Sequence, residues 1–378
     1  MHEVDFACKN ESCQDDDPIF VNYWDVINRK RPTVTKGPMP GKFAFFMPKM
    51  PSSVFCRTCH TETSTRLCRT CHSVLPKSIS DYEDIIIAVI GAKASGKSHY
   101  IGVLINEIIQ TVGIAYSSVL MPENEETLNR YKTKFRDPLY KNKRTLDVTQ
   151  SAQADPSVKR PLLYTMKFQV GSKINVVTLS LFDTAGEDLK TQQDMEKHTR
   201  YLLHSSGIIC LLDPLQISLV REQLQQIDPT ITLPIEDPNA EANDIVVRTT
   251  NLIRQELVLK EASKINIPLA ISFSKTDAIK PLIDPTSSLL RSGLHTQSNT
   301  FDVNDFETVN NEMRSLVHAW TYGNIPSVLQ LNYKDYAFFG VSSLGHAPKG
   351  KIETIQPNRV VDPFLWLLWK NGVIKGRE

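Results

Sequence analysis

The chain lacks any long apolar stretch. Its longest run without Asp, Glu, Lys or Arg, Ser315 to Tyr333, contains His318, Asn324, Pro326, Gln330 and Asn332, which is too polar for a membrane span. The start, Met1-His-Glu-Val-Asp, has neither the basic opening nor the apolar core of a secretory signal, so a cytoplasmic protein is expected. Net charge is also nearly missing: 43 Lys plus Arg stand against 42 Asp plus Glu. That excludes the whole-chain field that drives non-specific adsorption to DNA or membranes, and any nucleic-acid role would have to be local. Cysteine is almost absent from most of the chain. Six of the seven lie within the first 71 residues, and only Cys210 follows. Clustered cysteines without a signal favour metal over disulfides. What is present, 378 residues of which 41% are hydrophobic, is enough to bury a large core, and global disorder is excluded.

Three regions are expected: a segment over 1–51 with a Cys8/Cys13 pair and a Pro/Gly-rich linker, a dense cysteine module over 52–76, and a large domain over 80–378. In the last, Ile85-Ile-Ile-Ala-Val-Ile90 is the best candidate for a buried strand, and Lys97–Gln110 is helical by its apolar spacing. Leu162–Val170 and Ile174–Phe182 pair around Gly171-Ser172, a connection too short for a crossover helix. Strands at Gly207–Leu212, Ile267–Phe273 and Tyr336–Val341 alternate with helices at Ile245–Ser263, Phe306–Trp320 and Pro363–Trp369. The pattern implies an α/β fold, doubly wound, with a mostly parallel sheet covered on both faces and one antiparallel hairpin.

Gly91-Ala92-Lys93-Ala94-Ser95-Gly96-Lys97-Ser98 fits G-x-x-x-x-G-K-[ST] between the buried strand and the amphipathic helix. Glycines let backbone N–H groups curl around phosphates, and the helix N-terminus, continued by His99, adds its positive end. Lys97 reaches the terminal phosphates and the Ser98 hydroxyl ligates magnesium.

Three further motifs follow in order, each at a strand end. Asp183-Thr-Ala-Gly186-Glu187 resembles the D-x-x-G motif of translation-factor and Ras-like GTPases, Ser274-Lys275-Thr-Asp277 the guanine motif [NT]-K-x-D, and Val341-Ser342-Ser343-Leu344 the weaker S-A-x loop. With Gly207-Ile-Ile-Cys-Leu-Leu-Asp213-Pro-Leu, Pro268–Asp277 and Val361-Asp-Pro-Phe-Leu-Trp-Leu-Leu, the chain resembles the bacterial double-GTPase family of TRAFAC GTPases. The resemblance implies a Ras-like P-loop NTPase that binds GTP and GDP with magnesium and hydrolyses GTP as a conformational switch. Asp183 would hold magnesium through water, the Gly186 amide would sense the γ-phosphate, Lys275 would lie over the base, Asp277 would read guanine, and the Ser342–Ser343 loop would touch the guanine carbonyl. It also implies protein partners, among them a second GTPase, in a conflict or signalling system.

Three positions depart from the pattern. Ser274 stands where Asn or Thr is usual, which weakens a tether to the phosphate loop. Glu187 replaces the water-orienting Gln, which keeps a non-hydrolysing, nucleotide-gated interaction module as the alternative. The switch I threonine falls within residues 111–161, where Thr145 and Thr149 both qualify; Thr149 is preferred, as a magnesium ligand. The basic run Arg130–Arg144 is expected to be a solvated, mobile insertion that could supply an arginine finger.

Cys56-Arg-Thr-Cys59-His60 and Cys68-Arg-Thr-Cys71-His72 repeat one pentapeptide, and the spacing resembles a small zinc ribbon in which Cys56, Cys59, Cys68 and Cys71 close a structural tetrahedron. Cys8 and Cys13 leave the pairing open: they complete a site with one knuckle, leaving the other to recruit His60 or His72, or they form an unmetallated pair. His60 and His72 are expected beside the metal or in solvent rather than on it. Arginines without interleaved aromatics favour a protein-docking surface over nucleic acid, which would come third as a function.

Overall fold

The computed structural model describes residues 4–8, 10, 12–13, 53–68, 74–75, 83–92, 94–146, 161–170, 173–183, 202–203, 205–237, 240–297, 299–347 and 351–378. The chain divides into two compact units, Met1–Asp84 and Ile85–Glu378. Among the described residues, no helix is long and apolar enough to cross a membrane.

The described strands of the first unit are short. A hairpin of β2 (Val54–Phe55) and β3 (Glu62–Thr63) carries the Cys56–Cys59 knuckle at its turn. β4 (Thr65–Cys68) pairs antiparallel with β1 (Val4–Ala7) on one side and β5 (Val74–Leu75) on the other. Phe6, Val54 and Leu67 are its large buried apolar side chains. Residues near the start are thereby built into the same sheet as the cysteine segment.

The second unit begins with β6 (Glu83–Gly91). Its apolar residues alternate, Ile87 and Val89 toward one core and Ala88 and Ile90 toward the other, and all four are fully buried. Burial on both faces marks a central strand of a doubly covered sheet. The sheet has seven strands in the order β13-β11-β10-β6-β9-β8-β7. β10 (Gly207–Leu212), β11 (Leu269–Phe273) and β13 (Tyr336–Gly340) run parallel in succession, with β10 parallel to β6. β8 (Leu162–Val170) and β9 (Lys173–Asp183) form the expected hairpin, and β7 (Ser118–Pro122) adds an antiparallel edge strand that the sequence pattern did not reveal. The mostly parallel α/β sheet is thus present.

α1 (Lys97–Glu107) and α7 (Asp362–Lys370) cover one face, with Ile101, Leu104, Ile105, Trp366 and Leu367 in its core. α3 (Ser218–Ile227), α4 (Ala242–Glu256), α5 (Val303–Trp320) and α6 (Asn324–Asn332) cover the other through Leu224, Ile253, Met313 and Leu329. α4 ends seven residues before the expected Ser263: Val258 takes φ 50°, and the Arg254 guanidinium donates to the carbonyls of Lys260, Glu261 and Ser263, capping the loop that follows.

The basic run corrects an expectation. Residues 130–144 do not form a solvated loop. α2 (Glu125–Tyr131), capped where the Asn124 side chain accepts from the Thr127 N–H at 2.7 Å, continues as a wide π-helical stretch over Lys132–Lys141. Tyr131, Phe135 and Leu139 recur every four residues and are buried, so they form an apolar stripe beneath the charges. They pack on α1 at Gly102, where a Cβ would come within 3.1 Å of Leu139 and 3.2 Å of Phe135, and Tyr131 donates to the Gly102 carbonyl. A swing by Arg130 or Arg136 into a site would therefore require unpacking this helix.

Candidate functional site

The phosphate loop runs from the C-terminal end of β6 to the start of α1. Gly91 (φ 154°) passes so close to β10 that a Cβ would lie 2.3 Å from the Leu211 carbonyl oxygen. Ala94 and Gly96 also take positive φ, 61° and 86°. Such a curl turns successive N–H groups to one side, a backbone arrangement suited to anions. No acidic side chain stands in the first turn of α1 to compete for its positive end. The buried Lys97 ammonium donates to the Gly91 and Ala92 carbonyls at 2.8 and 2.7 Å, and the Ser95 hydroxyl is fully enclosed with no hydrogen-bond partner. A buried ammonium and an enclosed, unsatisfied hydroxyl beside a loop of left-handed curl fit a phosphate group. Ser98 is the second residue of α1. Lys93 lies outside the described residues.

His99 Nε2 accepts from the Leu146 N–H at 3.1 Å, tying α1 to the segment that approaches the switch I threonine. Burial, reinforced by the nearby Lys275 charge, lowers its pKa to about 4, so the ring is neutral at pH 7.

The guanine and S-A-x loops lie at the ends of β11 and β13 and are bonded to each other. The Thr276 N–H donates to the Val341 carbonyl, and the Ser342 hydroxyl donates to Asp277 Oδ1 at 2.5 Å while accepting from the Gly345 N–H at 2.9 Å. Ser342 also makes a two-bond bridge to Asn358, at 3.0 and 2.9 Å. Ser343 follows in the same loop. Lys275 takes φ 54° and its ammonium reaches Asp213 Oδ2 at 2.5 Å. Ser274 hydrogen-bonds through both its N–H and its hydroxyl to the Leu212 carbonyl on β10, so this serine ties the guanine loop to the neighbouring strand.

Asp183 is the last residue of β9, next to β6 in the sheet. Its side chain, and Thr149, Gly186 and Glu187, lie outside the described residues. The loops that are described converge at the C-terminal ends of β6, β10, β11 and β13, the usual ligand crevice of an open α/β sheet. Asp213, Asn358 and Arg359 were missed from sequence. Asp213 did carry a signal, since it ends a fully apolar strand as Asp183 does; the other two carried none.

In the first unit, Cys8, Cys13, Cys56 and Cys59 gather with all four sulfurs within 4.8 Å of one another, Cys8 to Cys59 at 3.5 Å and Cys13 to Cys56 at 3.8 Å. None of these four cysteines is in a disulfide. A zinc ion with Zn–S bonds of about 2.3 Å has sulfur–sulfur edges of about 3.8 Å, so the set fits a tetrahedral site. The Cys56–Cys59 knuckle is thus joined by the first two cysteines, one of the pairings left open by the sequence, with His60 exposed at φ 54°. Hydrogen bonds with Thr61 lower the Cys59 pKa to about 6, favouring the thiolate that a metal needs. Cys71, His72 and the Cys68 side chain lie outside the described residues. Cys210 is a buried core residue whose thiol burial pushes up to about 12.

A second cluster, His295, Asp305 and Asp362, is also compact enough for a cation, but the Arg359 guanidinium already offsets its negative charge, while His295 Nε2 and Asp362 Oδ1 keep no hydrogen-bond partner. Arg359 donates to both oxygens of Asp305 at 2.9 Å and to Asp362 at 2.8 Å. His295 Nδ1 accepts from the Asp302 N–H, so Nε2, 3.6 and 3.7 Å from the two carboxylates, carries the proton and is no metal ligand. Burial would raise Asp305, but the Arg359 hydrogen bonds and charge hold its carboxyl below the usual range.

The family model described as Double-GTPase 2 matches residues 85–321. A protein of Mycolicibacterium smegmatis named for ESX-1 scaffolding and assembly, SaeC, is 27% identical over 342 residues, covering 86% of this chain and 81% of that protein. The solved structure of the Arl6 BBS3 small GTPase from Trypanosoma brucei with the nucleotide analogue GppNp covers 76% of this chain and 98% of its own at 11% identity, with a TM-score of 0.31. A likeness of that size adds nothing to the strand order described above.

Proposed function

The chain belongs to the Double-GTPase 2 family, and from that premise we propose that it binds GTP and GDP with magnesium, hydrolyses GTP, and uses the cycle to control protein partners in a scaffolding or assembly role. The observation that carries this reading is the convergence of the Lys97 loop with a Lys275–Asp277 loop hydrogen-bonded to Ser342 at one end of the sheet. Lys97 exchanges the Gly91 and Ala92 carbonyls for phosphate oxygens, and the amides of 92–98 stabilise the charge that develops on them. Asp277 accepts from the guanine N–H and amino groups, which adenine cannot offer in that pattern. Ser98, Asp183 and Thr149 hold magnesium, which when bound neutralises charge on the phosphates. The Gly186 amide senses the γ-phosphate, and Glu187 sits where the attacking water is oriented. A carboxylate there makes turnover slow.

Zinc on Cys8, Cys13, Cys56 and Cys59 is structural, since four thiolates leave no open position. The module it folds is a protein-docking surface rather than a nucleic-acid one. The name of the mycobacterial relative supports assembly over conflict as the setting, with a second GTPase among the candidate partners and the cytoplasm as the compartment.

The test follows phosphate release and tight binding after adding GTP or ATP to protein loaded with zinc and magnesium. Turnover of GTP alone is expected, and Lys97→Ala should abolish it. Guanine binding without turnover would replace the enzyme by a nucleotide-gated interaction module; a preference for ATP would overturn the reading.

A further inference from the structure

Asp213 is a buried carboxylate that none of the four motifs uses. It ends β10, between the phosphate-loop strand and the strand that leads to Lys275. It is only 4% exposed. Its Oδ1 accepts from the Leu215 N–H at 3.0 Å, capping the turn over Pro214–Gln216 and fixing the carboxylate's orientation. Oδ2 is thereby aimed at the Lys275 ammonium, 2.5 Å away.

As a device for stability this pair is poor. A carboxylate taken out of water for the sake of a partly exposed lysine recovers little of its desolvation cost. As a device for orientation it is effective, because a lysine otherwise keeps four rotatable bonds and the rotamer entropy that goes with them. The lysine backbone is held as well: it sits in the left-handed region at φ 54°, its carbonyl accepts from the Ala278 N–H at 2.8 Å, and Ser274 before it is bonded to Leu212. Both ends of the side chain are thus fixed, one by the strained backbone and one by Asp213. His99, the neighbouring titratable group, is neutral and does not compete for the carboxylate.

We propose that Asp213 is a positioning residue for nucleotide recognition, which anchors the Lys275 ammonium so that the lysine stem lies along the plane where the base is bound. The proposal rests on the guanine-nucleotide reading above and adds to it a residue that sets how well the base is held.

Asp213→Asn keeps the Leu215 cap and the side-chain shape but removes the charge, and Asp213→Ser keeps a capping oxygen alone. Affinities of the full chain for fluorescent GDP and ADP are measured for the unaltered protein, both variants, Lys275→Met and Lys275→Met/Asp213→Asn, with the thermal midpoint of each. GDP affinity is expected to fall about tenfold in both Asp213 variants, and the second substitution should add nothing once Lys275 is gone. GDP affinity within twofold of the unaltered protein in both Asp213 variants would overturn the proposal. So would an equal loss from Asp213→Asn in the Lys275→Met background, which would show that Asp213 acts through the fold. Failure of the unaltered protein to prefer GDP over ADP would remove the guanine reading and the proposal together, whereas GDP preference with indifferent variants removes Asp213 alone.

Discussion

Among the described residues of the unit Met1–Asp84, the large buried apolar side chains are Phe6, Val54 and Leu67, and four thiols gather in one place. In Ile85–Glu378, a seven-stranded sheet is covered on both faces by two separate apolar cores. The described strands of the first unit, two to four residues long, bury too little surface to offset the entropy of ordering the chain, so metal bonds at the four thiols would supply stability there. The second draws it from area removed from water and needs no ion to fold. The same contrast separates two kinds of failure: loss of one ligand should undo the first unit at once, while the second should lose stability in increments.

The largest expected effect is therefore on the cysteines. Structural zinc contributes about 10–16 kcal/mol of folding free energy in small zinc peptides. Stripping zinc with a chelator, or changing Cys8 or Cys56 to Ser, should unfold the first unit and leave the second folded, as read by amide-proton protection. Zinc content should be one per chain and fall to none in Cys8→Ser. Retention of zinc in that variant would restore the Cys56–Cys59–Cys68–Cys71 pairing, and a content of two would add a second site.

In the second unit, Trp366→Ala should cost about 3–5 kcal/mol in denaturant unfolding, since the ring is 1% exposed between α7 and the sheet. Gly91→Ala is expected to cost about 2 kcal/mol or more and to weaken nucleotide binding, because its Cβ would press on the Leu211 carbonyl.

A smaller effect belongs to His99. Its folded pKa, about 4, lies below its ordinary value of 6.5, so the unfolded chain binds the proton first as the pH falls. The stability that goes with a neutral His99 is complete above about pH 6.5 and is lost progressively down to about pH 4, on the order of 2 kcal/mol. Urea titrations at several pH values should show this slope, and His99→Gln should flatten it. Smallest of all, Asn124→Ala removes the cap of α2 and should cost about 1 kcal/mol in the same titration.

Much of the larger unit was legible in its residues. The β8–β9 hairpin, the strand Gly207–Leu212 and the helix at the C-terminus fell where periodicity and turn chemistry put them, because those signals are local. β7 escaped notice because an edge strand of five residues, half of them exposed, shows almost no pattern. The basic run was misjudged for a related reason: Tyr131, Phe135 and Leu139 are spaced for one helical face, but Gly102, which makes room for them, lies about thirty residues away in α1. At the site, the phosphate loop needs contiguous residues and so was written plainly in the chain. The Asp213–Lys275 pair joins two strands 62 residues apart, and Asn358 reaches Ser342 from beyond the sheet.

The sequence by itself determined the order of strands and helices, the phosphate loop and the presence of a metal-type cysteine cluster, because each rests on spacing within a short window. Only the tertiary structure decided which cysteines meet, what anchors Lys275, and that Arg359 offsets the charge of the cluster around His295. Those outcomes depend on which distant backbones the sheet brings side by side, where burial favours pairing of the enclosed polar groups and leaves a few, such as the Ser95 hydroxyl, without a partner.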